Sequence, residues 1–180
     1  EEIGWAGRPD ADQLARAERV IVYKSAKYSI ESPLLIGASL AGATVGQLDS
    51  LRRFGLPLGI AYQLRDDLLG VFGDAEVTGK PSGDDLREGK RTVLIALTRQ
   101  AVPAGARATL DELLGDPELT PQQIETLQMT IRESGAVEKV EKMIADNVDR
   151  AIGALEGAQL GAAARAQLRD LAITVTRRSY

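Results

Sequence analysis

The sequence contains no cysteine and no histidine. Disulfides, thiolate nucleophiles and zinc sites built from Cys or His are thereby excluded within it, and so is Ser-His-Asp chemistry. A metal ion held by this chain must be bound through oxygen, which points to Mg²⁺, Mn²⁺ or Ca²⁺. Aromatic residues are scarce, 4% against 44% hydrophobic residues in all. That balance favours packed helices over a β-sandwich. No apolar run reaches roughly 18 residues without a charge, so neither a transmembrane helix nor stable membrane insertion is expected. There is no excess of positive charge either. A net charge of -4 argues against nucleic acid as a partner. The opening "EEIGWAGRPD" is acidic and polar, unlike a signal peptide, and a cytoplasmic location is expected. The sequence begins on Glu1 without a Met, as a fragment or a processed product would.

What is present is helical pattern. A chain of 180 residues can build one core or part of a larger one. Asp10 or Asp12 is positioned to cap a first helix, with Leu14, Ala17, Ile21 and Lys24 following at helical spacing. Pro33 starts a second helical stretch or kinks a long one. The small residues from Gly37 to Ala43 invite close approach by a neighbouring helix. A longer helix is expected from about Leu48 to Phe72, with Leu56, Ile60, Leu64, Leu68 and Val71 forming an apolar stripe. Pro57 should distort it. Residues 73–91, rich in glycine, read as a loop. Helices are expected over 92–100, 104–115, 121–134, 135–156 and 162–177. Thr120 and Pro121 supply a cap and a first-turn proline. No strand, repeat or low-complexity segment is evident, so the fold class is all-α.

The chemistry concentrates in "YQLRDDLLGVFGDAEVTGKPSGDDLREGKRT", residues 62–92. On a helical wheel Gly59, Gln63, Asp66, Asp67, Gly70 and Asp74 share one face. Two adjacent carboxylates repel in any dry site, and a hard divalent cation between them turns repulsion into attraction. A solvated acidic patch at a helix end is the plainer alternative. The following loop offers Lys80, Arg87, Lys90 and Arg91 among glycines. Such cations would bind an anion that also coordinates the metal, and a diphosphate is the natural candidate. The alternative is a solvated charged loop. A Walker A loop is excluded: Gly83 stands one residue too far from Gly89–Lys90, and Arg91 replaces the required Ser or Thr. Upstream, "VYKSAKYS" sets Lys24 in an apolar helical context, either snorkelling to solvent or directed into the same cavity as the aspartates.

Taken in order, "YKSAKYSIESPLLIGASLAGA", "YQLRDDLLGVFGD" and "TGKPSGDDLREGKRTVL" resemble the C-terminal half of trans-polyprenyl diphosphate synthases, nearest to bacterial geranylgeranyl diphosphate synthases. The specific motifs cover residues 15–100. The resemblance implies an antiparallel helix bundle of the isoprenoid synthase type, with residues 1–180 forming the C-terminal part of one domain that lacks its N-terminal helices. It implies that Asp66 and Asp67 open the family's second aspartate-rich motif and bind Mg²⁺ bridged to an allylic diphosphate. Lys24 matches the lysine of a Lys-Thr pair beside the leaving diphosphate, and Ser25 stands at the Thr position. Gln63 matches a glutamine lining the cavity. Lys80 and Lys90 match lysines that bind the diphosphate. The implied reaction is Mg²⁺-assisted ionisation of the allylic diphosphate and condensation with isopentenyl diphosphate, with geranylgeranyl diphosphate as the product and a homodimer as the assembly.

The sequence departs from that pattern. The motif Asp-Asp-x-x-Asp has Gly70 at its fifth position, with Asp74 as the candidate replacement. The first aspartate-rich motif and the basic residues for isopentenyl diphosphate are not found, so the isolated chain is expected to be inactive and to associate through uncovered apolar faces. A non-catalytic subunit of the same fold, another isoprenoid synthase such as a terpene cyclase, and a helical interaction module are the rival readings. Lys80 and Lys90 argue against the cyclase.

Overall fold

A computed structural model describes residues 10–74, 79 and 81–177. Among them helices carry the architecture and no strand occurs. The elements are α1 (Asp10–Val20), a π-helix (Ile21–Glu31), α2 (Ser32–Leu40), α3 (Val45–Phe72), α4 (Asp84–Arg87), α5 (Val93–Ala101), α6 (Ala104–Leu113), α7 (Pro121–Glu133), α8 (Ala136–Glu156) and α9 (Ala162–Thr176). The chain divides into two compact units. Of the described residues, one comprises 10–18, 66–74, 79 and 81–141, the other 19–65 and 142–177.

In the second unit the core is Phe54 and Leu58 of α3 with Ala151 and Leu155 of α8 and Ala172 of α9. Arg65 fastens α3 to the end of α9, its Nε donating to the Thr176 carbonyl at 2.9 Å. Burying a guanidinium beside a helix C-terminus suits both, because the last carbonyls of a helix lack partners and carry partial negative charge.

The π-helix is the feature that periodicity did not foresee. Backbone dihedrals stay helical through Val20 and Ser32 at its two ends, and the Ser32 N–H donates to the Lys27 carbonyl five residues back. The path from α1 into α2 is therefore rewound rather than broken, and Pro33 sits in the first turn of α2, where its missing N–H costs nothing. π-Geometry is rare and short where it occurs. Here it packs against α3 along three contacts, two of them at glycines. A Cβ at Gly59 would lie 2.5 Å from the Ala26 Cα, and one at Gly55 would lie 3.1 Å from the Glu31 Cα. The third contact is a side-chain hydrogen bond described below. Close approach thus occurs at Gly55 and Gly59. The Gly37–Ala43 run, where it was expected, is not packed in this way: nothing described comes within 4 Å of a Cβ at Gly37.

Helix α3 begins at Val45, three residues before its expected start, and runs through Pro57. It is buried around more of its circumference than the expected stripe: Leu51, Phe54, Leu58 and Ala61 are in the core along with Leu64, Leu68 and Val71. A helix apolar on most sides belongs inside a bundle. The first helix spans Asp10–Val20, so Asp10 and Asp12 both lie within its first turn and neither precedes it as a cap.

In the first unit, α5 and α6 pack against α7 over Leu94, Leu110, Leu127 and Ile131, all fully buried. Thr92 caps α5 by accepting from the Ile95 N–H. Thr120 and Gln123 form a reciprocal capping box on α7, with Pro121 in its first turn, as the sequence indicates. The segment expected to be all loop instead carries a helical turn, α4, whose Asp85 and Leu86 are buried.

Candidate functional site

In the second unit Ser25, on the π-helix, and Gln63, on α3, are brought together. The Ser25 hydroxyl donates to Gln63 Oε1 at 2.6 Å. The approach at Gly59, one turn earlier on α3, sets that distance: any side chain there would lever the π-helix away. The bond fixes which end of the Gln63 amide is the oxygen. Lys24 precedes Ser25 and is exposed. Tyr23 and Tyr28, on the same segment, are exposed at 63% and 77%, and Lys27 Nζ lies 5.0 Å from the Tyr23 ring centre.

In the first unit Asp66 and Asp67 occupy the last turns of α3 but do not share an environment. Asp66 is exposed, while Asp67 is only 6% exposed. Adjacent helical residues point about 100° apart, so one faces solvent while the other turns inward. Asp74 lies past the end of α3 and is exposed.

The loop after α3 is fixed by side chains from elsewhere in its own unit. Gln128 of α7 donates through Nε2 to the Val71 carbonyl at 2.6 Å and the Ser82 hydroxyl at 3.1 Å. The Gly115 N–H donates to the Leu86 carbonyl at 2.9 Å. Of the four loop cations expected to converge, Lys80 lies outside the described residues. Arg87 donates to the Ser82 carbonyl at 3.2 Å. Arg91 is directed to Asp111 of α6, at 3.9 Å. Burial, with the nearby Arg99 charge, lowers the Arg91 pKa. The Arg91–Arg99 pair shares Asp111, with which Arg99 makes an ion pair.

Lys90 is held by carboxylates. Its Nζ is hydrogen-bonded to Asp85 Oδ1 and lies 2.9 Å from Glu88 Oε2. Burial pulls the Lys90 pKa down, but the hydrogen bonds it donates to Asp85 and Glu88 outweigh it and hold the ammonium above the ordinary lysine value. Burial pushes Asp85 up; the Lys90 bond and charge oppose this, and the Asp66 charge adds to it. The two partners shift in the same direction because Asp85 is far more deeply buried, its side chain being 7% exposed against 42% for Lys90.

Asp85 is the residue that sequence reasoning passed over. Its carboxylate lies against the bare backbone of Gly70: a Cβ on Gly70 would stand 2.1 Å from Asp85 Oδ2. The signal available was the pairing of a missing carboxylate at position 70 with an extra Asp-Asp in the loop.

The donor chemistry here is all oxygen, which fits a hard cation. Among the described residues no group of three or more acidic side chains is placed to hold a metal ion. Asp66, exposed, and Asp67, buried, do not form such a group.

A long helix with paired aspartates, followed by a charged loop, on an all-α scaffold sets the chain in a class of helical proteins. The sequence profile of the polyprenyl synthetase family matches residues 1–131, and the chain belongs to that family. It is 38% identical over 122 residues to geranylfarnesyl diphosphate synthase of Aeropyrum pernix, covering 68% of this chain and 37% of that protein. It is 30% identical over 171 residues to heptaprenyl diphosphate synthase component 2 of Geobacillus stearothermophilus, covering 94% of this chain and 51% of that protein. A crystal structure of geranylgeranyl pyrophosphate synthase from Corynebacterium glutamicum, complexed with isoprenyl diphosphate and magnesium, superimposes with a TM-score of 0.89 at 43% identity. It covers 92% of this chain and 47% of that one. The likeness thus extends past residue 100, where the recognisable motifs end. The chain spans about half the length, or less, of these relatives.

Proposed function

We propose that residues 1–180 are the C-terminal part of a single polyprenyl synthase domain. In the complete enzyme this part would bind an allylic diphosphate and elongate it with isopentenyl diphosphate, giving geranylgeranyl diphosphate. The observation that carries the reading is the ordered set of Lys24-Ser25, Gln63 with Asp66-Asp67, and Lys90, in a chain of this family. Asp66 and Asp67 would hold Mg²⁺, with Asp74 as a further ligand. The bound ion would neutralise charge on the departing diphosphate. Lys80, Lys90 and Lys24 would bind diphosphate oxygens, each ammonium favouring bond cleavage as negative charge develops. Ser25 would fix Gln63 so that its amide N–H groups are presented in one orientation. The apolar helices would exclude water from the allylic cation. No nucleophilic side chain is required, which suits a sequence without Cys or His.

We further propose a homodimer in the cytoplasm. Tyr28, Ile36, Leu40 and Val45, all more than half exposed, are the apolar surface that supports association. No described helix is long and apolar enough to cross a membrane. The isolated 180 residues would be inactive, because only the second of two aspartate-rich motifs lies within them. A second reading, a non-catalytic subunit, is favoured by Gly70 in place of a motif carboxylate. The test is turnover of an allylic diphosphate with isopentenyl diphosphate and Mg²⁺, read beside intact mass. Turnover by a longer chain that falls at least about 100-fold in Asp66→Ala supports the synthase reading. Full turnover by material of 19.3 kDa would overturn the expected silence of these residues alone. A complete longer chain without turnover would favour the subunit.

A further inference from the structure

Gly70 stands where the family pattern carries a carboxylate, and it would ordinarily be read as a ligand lost. The space it leaves is not empty. Asp85 Oδ2 and Oδ1 would lie 2.1 Å and 2.8 Å from a Cβ placed there. Asp85 reaches this position because α4 starts at Gly83, whose φ of 76° only glycine adopts readily, and because Leu86 beside it is fully buried. The same carboxylate binds Lys90 Nζ through Oδ1, and its backbone carbonyl accepts from the Lys90 N–H at 3.0 Å. Lys90 is therefore tied to Asp85 by both side chain and main chain. Holding a lysine this way removes much of the rotamer freedom that a four-carbon stem would otherwise lose on binding.

We propose that Gly70 and Asp85 form one device: bare backbone at position 70 seats the Asp85 carboxylate, and Asp85 positions the Lys90 ammonium for a diphosphate. Asp85 is a positioning residue, acting through Lys90. Glycine at position 70 is then required by this chain, and restoring aspartate there displaces Asp85 instead of repairing the site. The proposal rests on the reading of Lys90 as a diphosphate contact.

The test uses the full chain labelled with ¹⁵N-lysine, inorganic pyrophosphate with Mg²⁺ as the calorimetric probe, and the Lys90 ammonium resonance as a second readout. Asp85→Asn keeps shape and removes charge. It is expected to weaken pyrophosphate binding about tenfold, as is Lys90→Gln, and the double variant to lose no more than either alone. Gly70→Asp is expected to lose a similar factor and to move the Lys90 resonance as Asp85→Asn does. Additive losses in the double variant would overturn the device, and so would a Gly70→Asp variant with improved binding and an unmoved Lys90 resonance. Should the wild-type chain fail to bind pyrophosphate, the diphosphate reading of Lys90 fails. The resonance still decides the device: equal movement in Asp85→Asn and Gly70→Asp upholds it, and no movement in Gly70→Asp overturns it.

Discussion

Helix α3 meets a neighbour over glycine at Gly55, Gly59 and Gly70, and the meetings at Gly59 and Gly70 differ in kind. At Gly59 the neighbour is main chain: the Ala26 Cα, Cβ and carbonyl oxygen stand 2.5, 2.8 and 3.1 Å from where a Cβ would go. At Gly70 the neighbour is the far end of a side chain, the Asp85 carboxylate. A backbone that is itself helical cannot retreat without moving a whole segment, whereas a carboxylate can swing on two bonds. The first contact is neutral and closed by one short hydrogen bond between Ser25 and Gln63. The second is charged and ends in an ammonium that is 42% exposed. One seam sets a fixed distance between elements. The other holds a partly exposed cation by its carboxylate.

Substitutions at the two glycines should separate these roles. Gly59→Val is expected to have the largest effect, a loss of about 3 kcal/mol or more, because two helical backbones must part. The urea midpoint measures it, and a loss under about 1 kcal/mol would mean that the seam is softer than its distances. Gly70→Ala should cost less, about 1–2 kcal/mol, since the Asp85 side chain yields first. Its signature would be disturbance of Lys90 out of proportion to the change in stability, seen by comparing the Lys90 resonance with the urea midpoint. Ser25→Ala should be the mildest, about 1 kcal/mol, from one hydrogen bond and a Gln63 oxygen that water can partly reach. Ser25→Thr keeps the hydroxyl and should recover most of that loss.

Much of this arrangement was legible from residues alone, and the reasons are local. Thr120 with Pro121 marks the start of α7 because caps and first-turn prolines act within a few residues. Asp66 and Asp67 stood out because paired charge is rare in an apolar pattern. The π-helix was not legible: a change in hydrogen-bond register leaves Ile21–Glu31 looking like any helical run. The glycine seam was placed one helix too early, at Gly37 rather than Gly55 and Gly59, because small size reveals that something can approach but not what. Asp66 and Asp67 were expected to share one face, yet tertiary packing buries Asp67 and leaves Asp66 exposed. Asp85 was hidden by the assumption that a glycine-rich, charged stretch is all loop, when Leu86 and Asp85 are buried in α4.

The wide winding between Ile21 and Glu31 bears on how the gene tolerates insertions and deletions. Removing one codon from a surface loop shortens a tether. Removing one from this stretch would rotate everything on one side of it by roughly a quarter turn relative to the other. Ser25 would then no longer meet Gln63, nor Ala26 the bare face of Gly59. Frame-preserving deletions should therefore fail here, although the stretch reads as ordinary helical polypeptide.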